Sequence, residues 1–379
     1  MIDERMNLMG MTKKELAGFA RGIGEASYRG SQLYHWLYAR GATSFAAMTD
    51  LGKEFRKRLE DSAVIGGVVL EAHRRSERDG TVKLLFALQD GLRIESVLIP
   101  PASALRDGDT AVEEEQKRLT LCVSTQVGCP LDCAFCATGT MGFGRNLTPG
   151  EIVAQVLAGR RETGKKITNV VFMGMGEPLL NYDAVMNAAE LLIAGAGITA
   201  RRITVSTAGR VAEIRRMADE KRRINLAVSL HSAVDETRTR LMPINGKFGI
   251  AVLMDAVEYY YRKTKQRLTY EVIFFDGIND TPTHVTRLIA LARRVPSKIN
   301  IIPFHPISFT HPAGFAASLA PSPRMQEIAG ELRRAHLTVL VRTSAGEDID
   351  AACGQLALSR EARGEGRAER RTQAAAAAP

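Results

Sequence analysis

Between about residue 119 and residue 345 the apolar residues gather in short blocks, each mostly followed by a longer stretch with helical spacing. The blocks are TLCVSTQ, ITNVVFM, RITVST, INLAVSL, TYEVIFF and KINIIPF, with LTVLVR near 337 as one more. Short apolar blocks alternating with helical segments predict parallel strands covered by helices. A closed eight-unit barrel takes about 250 residues or more, so roughly 225 residues suit six units better. The expected fold class is therefore α/β, a partial (β/α)6 TIM-like barrel. Thr148-Pro149-Gly150-Glu151 marks one helix start, with Thr148 as cap, Pro149 at the first position and Glu151 closing a capping box.

Upstream and downstream the pattern changes. MTKKELAGFARGIG reads as a short helix with Thr12 as cap, Glu15 three residues on and a Gly stop. YRGSQLYHWLYARG has apolar and aromatic residues at helical spacing and ends at Gly41. VIGGVVLEAHR, TVKLLFALQD and LRIESVLIP are β-rich runs broken by Asp79-Gly80 and Asp90-Gly91, both hairpin signals. The chain thus divides into a small N-terminal helical accessory domain (1–62), a β-rich extension with a polar, mobile loop (63–118), the barrel with its C-terminal segment (119–357), and a charged, Ala-rich tail expected to be disordered (358–379).

Composition adds a partner and a compartment. The 379 residues carry a formal net charge of +9, which suits a polyanion such as RNA, although many globular proteins are mildly basic without one. In residues 1–62 basic side chains interleave with Tyr28, Tyr34, Trp36 and Tyr38. That pattern serves equally as a solvated surface over an aromatic core or as an RNA contact. No segment approaches about twenty uninterrupted apolar residues, and the first residues lack an apolar signal core. No membrane association is expected, and the expected compartment is the reducing cytoplasm.

Four of the five cysteines, Cys122, Cys129, Cys133 and Cys136, fall within fifteen residues, and Cys353 lies far away in GEDIDAACGQL. Cys129, Cys133 and Cys136 are spaced C-x3-C-x2-C with the aromatic Phe135 before the last. A zinc site usually wants a fourth protein ligand, whereas an iron–sulfur cluster is held by thiolates. When only three are supplied, one iron keeps an open position. That is what radical chemistry with S-adenosylmethionine (SAM) requires, because the methionine end of SAM chelates the open iron.

In parallel α/β folds chemistry gathers at the carboxyl ends of strands. Here those ends carry Gly174-Met175-Gly176-Glu177-Pro178, then Ser206 to Gly209, then Ser229, Leu230 and His231, then His305. Each alone is weak: a Gly-x-Gly pair is usually a turn, Ser206 equally caps a helix, and a lone His such as His231 is more often a satisfied core residue. Together, beside an open-iron cluster, they read as a SAM pocket. The glycines permit close backbone approach and Glu177 offers an acceptor for the methionine ammonium. Small neighbours leave Cys353 accessible, and Cys122 is equally well a structural thiol. Two spare thiols in such a site suggest a pair, one carrying a group and one resolving it.

With YRGSQLYHWLY, AMTDLGK, IESVLIP, LCVSTQVGCPLDCAFCATG, NVVFMGMGEPLLN, RITVSTAG, AVSLHSA, LMPIN and DIDAACGQL, the chain resembles the bacterial dual-specificity RNA (adenine-C2) methyltransferases of the radical SAM type, from about residue 25 to residue 356. The resemblance implies 23S ribosomal RNA and certain transfer RNAs as substrates, and a [4Fe-4S] cluster on Cys129, Cys133 and Cys136 with SAM on the open iron. It implies that one SAM methylates Cys353 and a second is cleaved to a radical, so two are used per turnover. The S-methyl group would then be activated, add to C2 of adenine, and be released when Cys122 attacks the sulfur of Cys353. Glu95 matches the family's proton acceptor. SAM contacts would fall at Gly176, Glu177, Ser206, Ser229, Leu230, His231 and His305; His305 stands where close relatives often carry Asn, which points to a backbone contact there. A flavodoxin- or ferredoxin-type donor and a monomer complete the expectation. Three readings compete: a C8-adenine methyltransferase of the same superfamily, a radical SAM enzyme acting on a small molecule or peptide, and a non-catalytic RNA-binding protein with a structural metal.

Overall fold

Seven parallel strands carry the site, and each lies where an apolar block predicted it. The computed structural model describes residues 5–101 and 118–358. The interior of the polar loop (102–117) and the tail (359–379) lie outside the described residues. In chain order the strands are β1 (Met6–Asn7), β2 (Ala63–Val64), β3 (Val69–Arg75), β4 (Val82–Ala87), β5 (Arg93–Ile99), β6 (Thr120–Cys122), β7 (Gln126–Gly128), β8 (Phe143–Asn146), β9 (Asn169–Phe172), β10 (Ile203–Thr207), β11 (Asn225–Ser229), β12 (Leu268–Val272), β13 (Ser297–Ile301) and β14 (Thr338–Val341). A ten-stranded sheet runs β14-β13-β12-β11-β10-β9-β6-β5-β4-β3.

From β6 to β14 every pairing is parallel. A parallel neighbour requires a crossover, and the helices Pro149–Thr163, Tyr182–Ala194, Val211–Asp219, Ile250–Thr264, Pro282–Ala292 and Met325–Arg334 each lie in one of the six. This is the expected partial (β/α)6 arrangement, extended by a seventh parallel strand, β14, at the edge of the sheet. The register aligns the site residues: Ser206 sits opposite Ala227, and Ser229 opposite Glu271. TLCVSTQ is broken into β6 and β7, because Ser124 turns out of the ladder: its N–H donates to Gln155 Oε1 at 2.9 Å and its hydroxyl to the Glu95 carbonyl at 2.6 Å.

The β-rich runs form the antiparallel hairpins β3-β4 and β4-β5, and β5 joins the barrel through β6. Both Asp-Gly signals fall at the turns, with Gly80 and Gly91 at positive φ. The N-terminal region is helical at Lys13–Gly22, Arg29–Tyr34 and Lys53–Ser62. Its second predicted helix passes into a π-helical turn at His35–Arg40 before Gly41 ends it at φ 68°. Tyr38 is wholly buried and its hydroxyl donates to the Met11 carbonyl at 2.7 Å, which assigns this ring to the core.

Helix Pro149–Thr163 is buried along Gly150–Gly159 because protein covers both sides of it. Gly159 faces Leu98 and Leu121 of the sheet. Gly150 faces the Met9 carbonyl, where an added Cβ would stand 2.2 Å away. The capping boxes at Thr12 and Thr148 are both formed. Among the described residues no helix is long and apolar enough to cross a membrane.

Candidate active site

The loop after β7 carries the three clustered cysteines. The Cys129 N–H donates to the Gly142 carbonyl at 2.8 Å and the Cys136 N–H to the Cys133 carbonyl at 3.0 Å, which turns the loop back on itself. Burial pushes the Cys129 thiol up to about 12 and the Cys133 thiol well above its usual range, and the neighbouring sulfurs push each further. Cys129 and Cys133 are therefore disfavoured as free thiolates and call for a cationic partner. Three thiols on one short loop fit an iron–sulfur cluster, which thiolates hold, better than a structural zinc, which takes four protein ligands.

Phe135 lies against His231, with ring centroids 4.5 Å apart. His231 is buried at φ 54°, its Nδ1 accepts the Ile273 N–H at 3.2 Å, and its carbonyl accepts from Asn279 Nδ2 at 2.6 Å. With Nδ1 an acceptor, the ring is neutral and carries its proton on Nε2. Burial pulls this imidazole down to about 3. The unfolded chain therefore binds the proton first, so the residue's contribution to folding is complete above about pH 6.5 and fades as pH falls toward 3. Between pH 7 and pH 5, wild type is expected to lose about 2 kcal/mol more than His231→Gln in urea denaturation. Equal losses would show that the ring is not held neutral.

The strand ends meet as the alternation implied. Ser206 Oγ and Ser229 Oγ lie 3.4 Å apart. Glu177 is buried, and its carboxylate accepts the Ala208 N–H at 2.8 Å and the Leu179 N–H at 3.1 Å. Burial raises its pKa and the Ala208 N–H pulls it back. The carboxylate thus ties two strand-end loops together, a duty beyond the ammonium contact expected of it. At Gly176 an added Cβ would stand 2.5 Å from Gln126, so only glycine lets this segment lie against the cluster strand.

Arg238, which no motif singled out, organises the whole set. It is fully buried, donating to the carbonyls of Ala208 (2.7 Å), Ser229 (3.0 Å) and Leu230 (3.1 Å) and to Asn245 Oδ1 (2.7 Å). Burial lowers its pKa to about 10, while the nearby Cys133 and Asp235 act to keep it charged. The only sequence signal was an arginine inside the RTRLMPIN run, which gives no hint of burial.

A cavity of about 710 Å³ opens beside the cluster loop and is lined by Cys122, Cys353 and His305. The remaining SAM residues predicted from sequence do not line it. Cys122 is nearly sealed at 7% exposure, and burial pushes its thiol up to about 12. Cys353 is open to solvent although protein crowds it from several sides. Burial raises its thiol and Arg342 offsets part of the rise. Arg342 is itself raised by Cys353 and lies 3.9 Å from buried Glu271, whose Oε2 has no hydrogen-bond partner among the described residues. Both thiols are free.

The Cys353 segment is held from three sides. The Ala137 N–H of the cluster loop donates to the Gly354 carbonyl at 2.7 Å, and Thr138 Oγ1 to the Leu356 carbonyl at 2.6 Å. His305 meets Ser344 Oγ at 2.8 Å and Glu347 at 3.3 Å. From the β extension, Asp79 Oδ2 accepts the Gly346 N–H at 2.8 Å, and Lys83 Nζ donates to the Asp350 carbonyl at 3.1 Å. Lys83 also pairs with Glu95 Oε1 at 3.0 Å. Glu95 is buried, and burial raises its pKa while Lys83 and the Ala357 N–H lower it. It shares a strand face with Val97, which does line the cavity, but does not line it itself.

Two family descriptions match the chain: the ribosomal RNA large subunit methyltransferase N-terminal domain over residues 6–65, and the radical SAM superfamily over residues 123–289. A "Probable dual-specificity RNA methyltransferase RlmN" of Christiangramia forsetii is 43% identical, covering 94% of this chain and 97% of its own. A "Dual-specificity RNA methyltransferase RlmN" of Geobacter sulfurreducens is 44% identical, covering 94% and 93%. The crystal structure of a radical SAM methyltransferase from Sphaerobacter thermophilus superposes with a TM-score of 0.82 at 39% identity, covering 93% of this chain and 99% of its own.

Proposed function

The chain belongs to the dual-specificity RNA methyltransferase family, and from that premise we propose that it methylates C2 of one adenine in 23S ribosomal RNA and of an adenine in certain transfer RNAs. It is a radical SAM RNA methyltransferase, using SAM and a [4Fe-4S] cluster. C2 of adenine is not nucleophilic, so ordinary methyl transfer from SAM does not reach it. Cluster and SAM, when bound, supply a 5′-deoxyadenosyl radical that takes a hydrogen atom from a methyl group.

In this reading the chain's own residues do the rest. Cys129, Cys133 and Cys136 hold three irons. Cys353 receives a methyl group from a first SAM and presents it to the base, so two SAM are used per turnover. The radical adduct would give up the C2 proton and one electron, equal to the one that started the cycle. Cys122 then attacks the sulfur of Cys353 and forms the disulfide, the S–CH2 bond breaks, and the carbon takes the Cys122 thiol's proton to leave as the methyl group of the RNA. Glu95, with one oxygen on Lys83, takes the C2 proton. The observation that carries the reading is that an open thiol and a sealed thiol share one cavity whose rim is stitched to the three-cysteine loop. A flavodoxin- or ferredoxin-type protein delivers the electron to a monomer.

The test is anaerobic. After reconstitution with iron and sulfide, the protein receives reductant, methyl-labelled SAM and a ribosomal RNA fragment, and nucleosides are separated against standards. Label is expected in 2-methyladenosine. Label in 8-methyladenosine would move the target atom, and a reconstituted protein that transfers none would overturn the reading. Glu95→Gln is expected to lower the rate by about 10²-fold or more, the usual worth of a positioned proton acceptor.

A further inference from the structure

A second cavity, of about 1220 Å³, opens at the other end of the barrel. It is lined by the segments that enter four successive strands: 166–168 before β9, 197–202 before β10, 221–225 before β11 and 263–267 before β12. The predicted SAM residues Gly176, Glu177, Ser206, Ser229, Leu230 and His231 lie at the opposite ends of the first three of these strands. Strands of this length hold the two faces roughly 15 Å apart.

Seven cationic side chains line this hollow and no carboxylate does. Lys166, Arg201, Arg202, Lys221 and Arg223 are exposed and make no side-chain hydrogen bond or ion pair among the described residues. Lys263 approaches Asp219 only at 3.8 Å, and Arg267 reaches the Ser297 carbonyl at 2.8 Å. The acids of this neighbourhood are engaged elsewhere: Glu220 and Glu190 bind Arg216 and Arg222, and neither lines the hollow. Like charges gathered in a concave surface repel one another and raise the local concentration of a polyanion.

We propose that this basic hollow is a second docking surface for the substrate RNA, one that grips backbone phosphates of an arm remote from the target adenine. The inference rests on the RNA-methyltransferase reading and adds a contact at the far end of the barrel, where the interior cavity that holds Cys122 and Cys353 reaches the hollow through the shared residues Arg201, Asn225 and Arg267. An acidic electron donor is the less fitting occupant, because an electron delivered here would have to cross the length of the strands to the cysteine loop. Phosphate contacts carry position and affinity but no sequence information, which suits an enzyme with more than one RNA substrate.

The test compares wild type with the quadruple variant Lys166→Ala, Arg202→Ala, Lys221→Ala, Arg223→Ala on two probes, a full transfer RNA transcript and a short stem-loop containing the same adenine. For the transcript, affinity is expected to weaken at least about tenfold near 0.1 M salt. The slope of log affinity against log salt should fall by roughly three, since each lost phosphate contact removes about 0.7 to 0.9. KM for the transcript should rise with kcat unchanged, and the stem-loop should behave as with wild type. An unchanged slope and KM would overturn the proposal. So would a variant that binds both RNAs normally but is reduced more slowly by flavodoxin, which would assign the hollow to the donor. If wild type itself neither binds nor methylates either RNA, the underlying reading fails instead.

Discussion

Cys353→Ala abolishes methyl transfer to RNA, lowering the rate by at least about a thousandfold, as removal of a covalent nucleophile does. The protein should still fold and take up its cluster. Cys353 is exposed and makes no side-chain hydrogen bond to the described residues, so little packing is lost with its sulfur. Cys122→Ala should give a different failure. The open thiol can still be methylated and can still reach the base, but the sealed thiol that completes the cycle is gone. A protein–RNA adduct that survives denaturing gels is the expected product. The two variants together separate carrier from resolver, because both thiols line one cavity. Methylation by Cys353→Ala at the wild-type rate would remove the carrier role, and an adduct in Cys353→Ala rather than Cys122→Ala would exchange the roles.

Arg238→Met should cost about 3–5 kcal/mol of stability, the range seen when one partner of a buried charged network is removed. Its guanidinium satisfies three carbonyls from the ends of β10 and β11 and one side-chain amide, all away from water. Methionine fills similar volume but donates nothing, so those acceptors are stranded. Urea denaturation of the metal-free protein reads the loss directly. Arg238→Lys should restore part of it, since an ammonium can donate but cannot span the same fork. A midpoint within about 0.5 kcal/mol of wild type, the scatter of ordinary surface changes, would show that the strand ends hold themselves.

The readable parts of this chain are those written in local sequence. Strands, helices and capping boxes depend on neighbours a few residues apart, so apolar blocks and Ser/Thr-x-x-Glu spacings locate them. The cysteine trio is local too, spanning Cys129 to Cys136. The π-helical turn at His35–Arg40 and the break at Ser124 were not legible, because each answers to a partner elsewhere: Tyr38 to Met11 and Gly10, and Ser124 to Gln155 and Glu95.

The same division holds at the site. Residue pattern alone carries the alternating α/β order, the helical and β-rich flanks, and the cysteine spacing. The sequence motifs also carried the resemblance that pointed to Cys122, Cys353 and Glu95. Only the tertiary structure decided that Glu177 ties two loops together, that a neutral His231 packs on Phe135, and that Lys83 joins Glu95 to the Cys353 segment. It alone buried Arg238 among carbonyls and gathered cations from four separate loops into one hollow. The physical reason is range. Backbone propensity and apolar periodicity act within a few residues, whereas burial, charge and hydrogen-bond satisfaction depend on which distant segments the fold brings together.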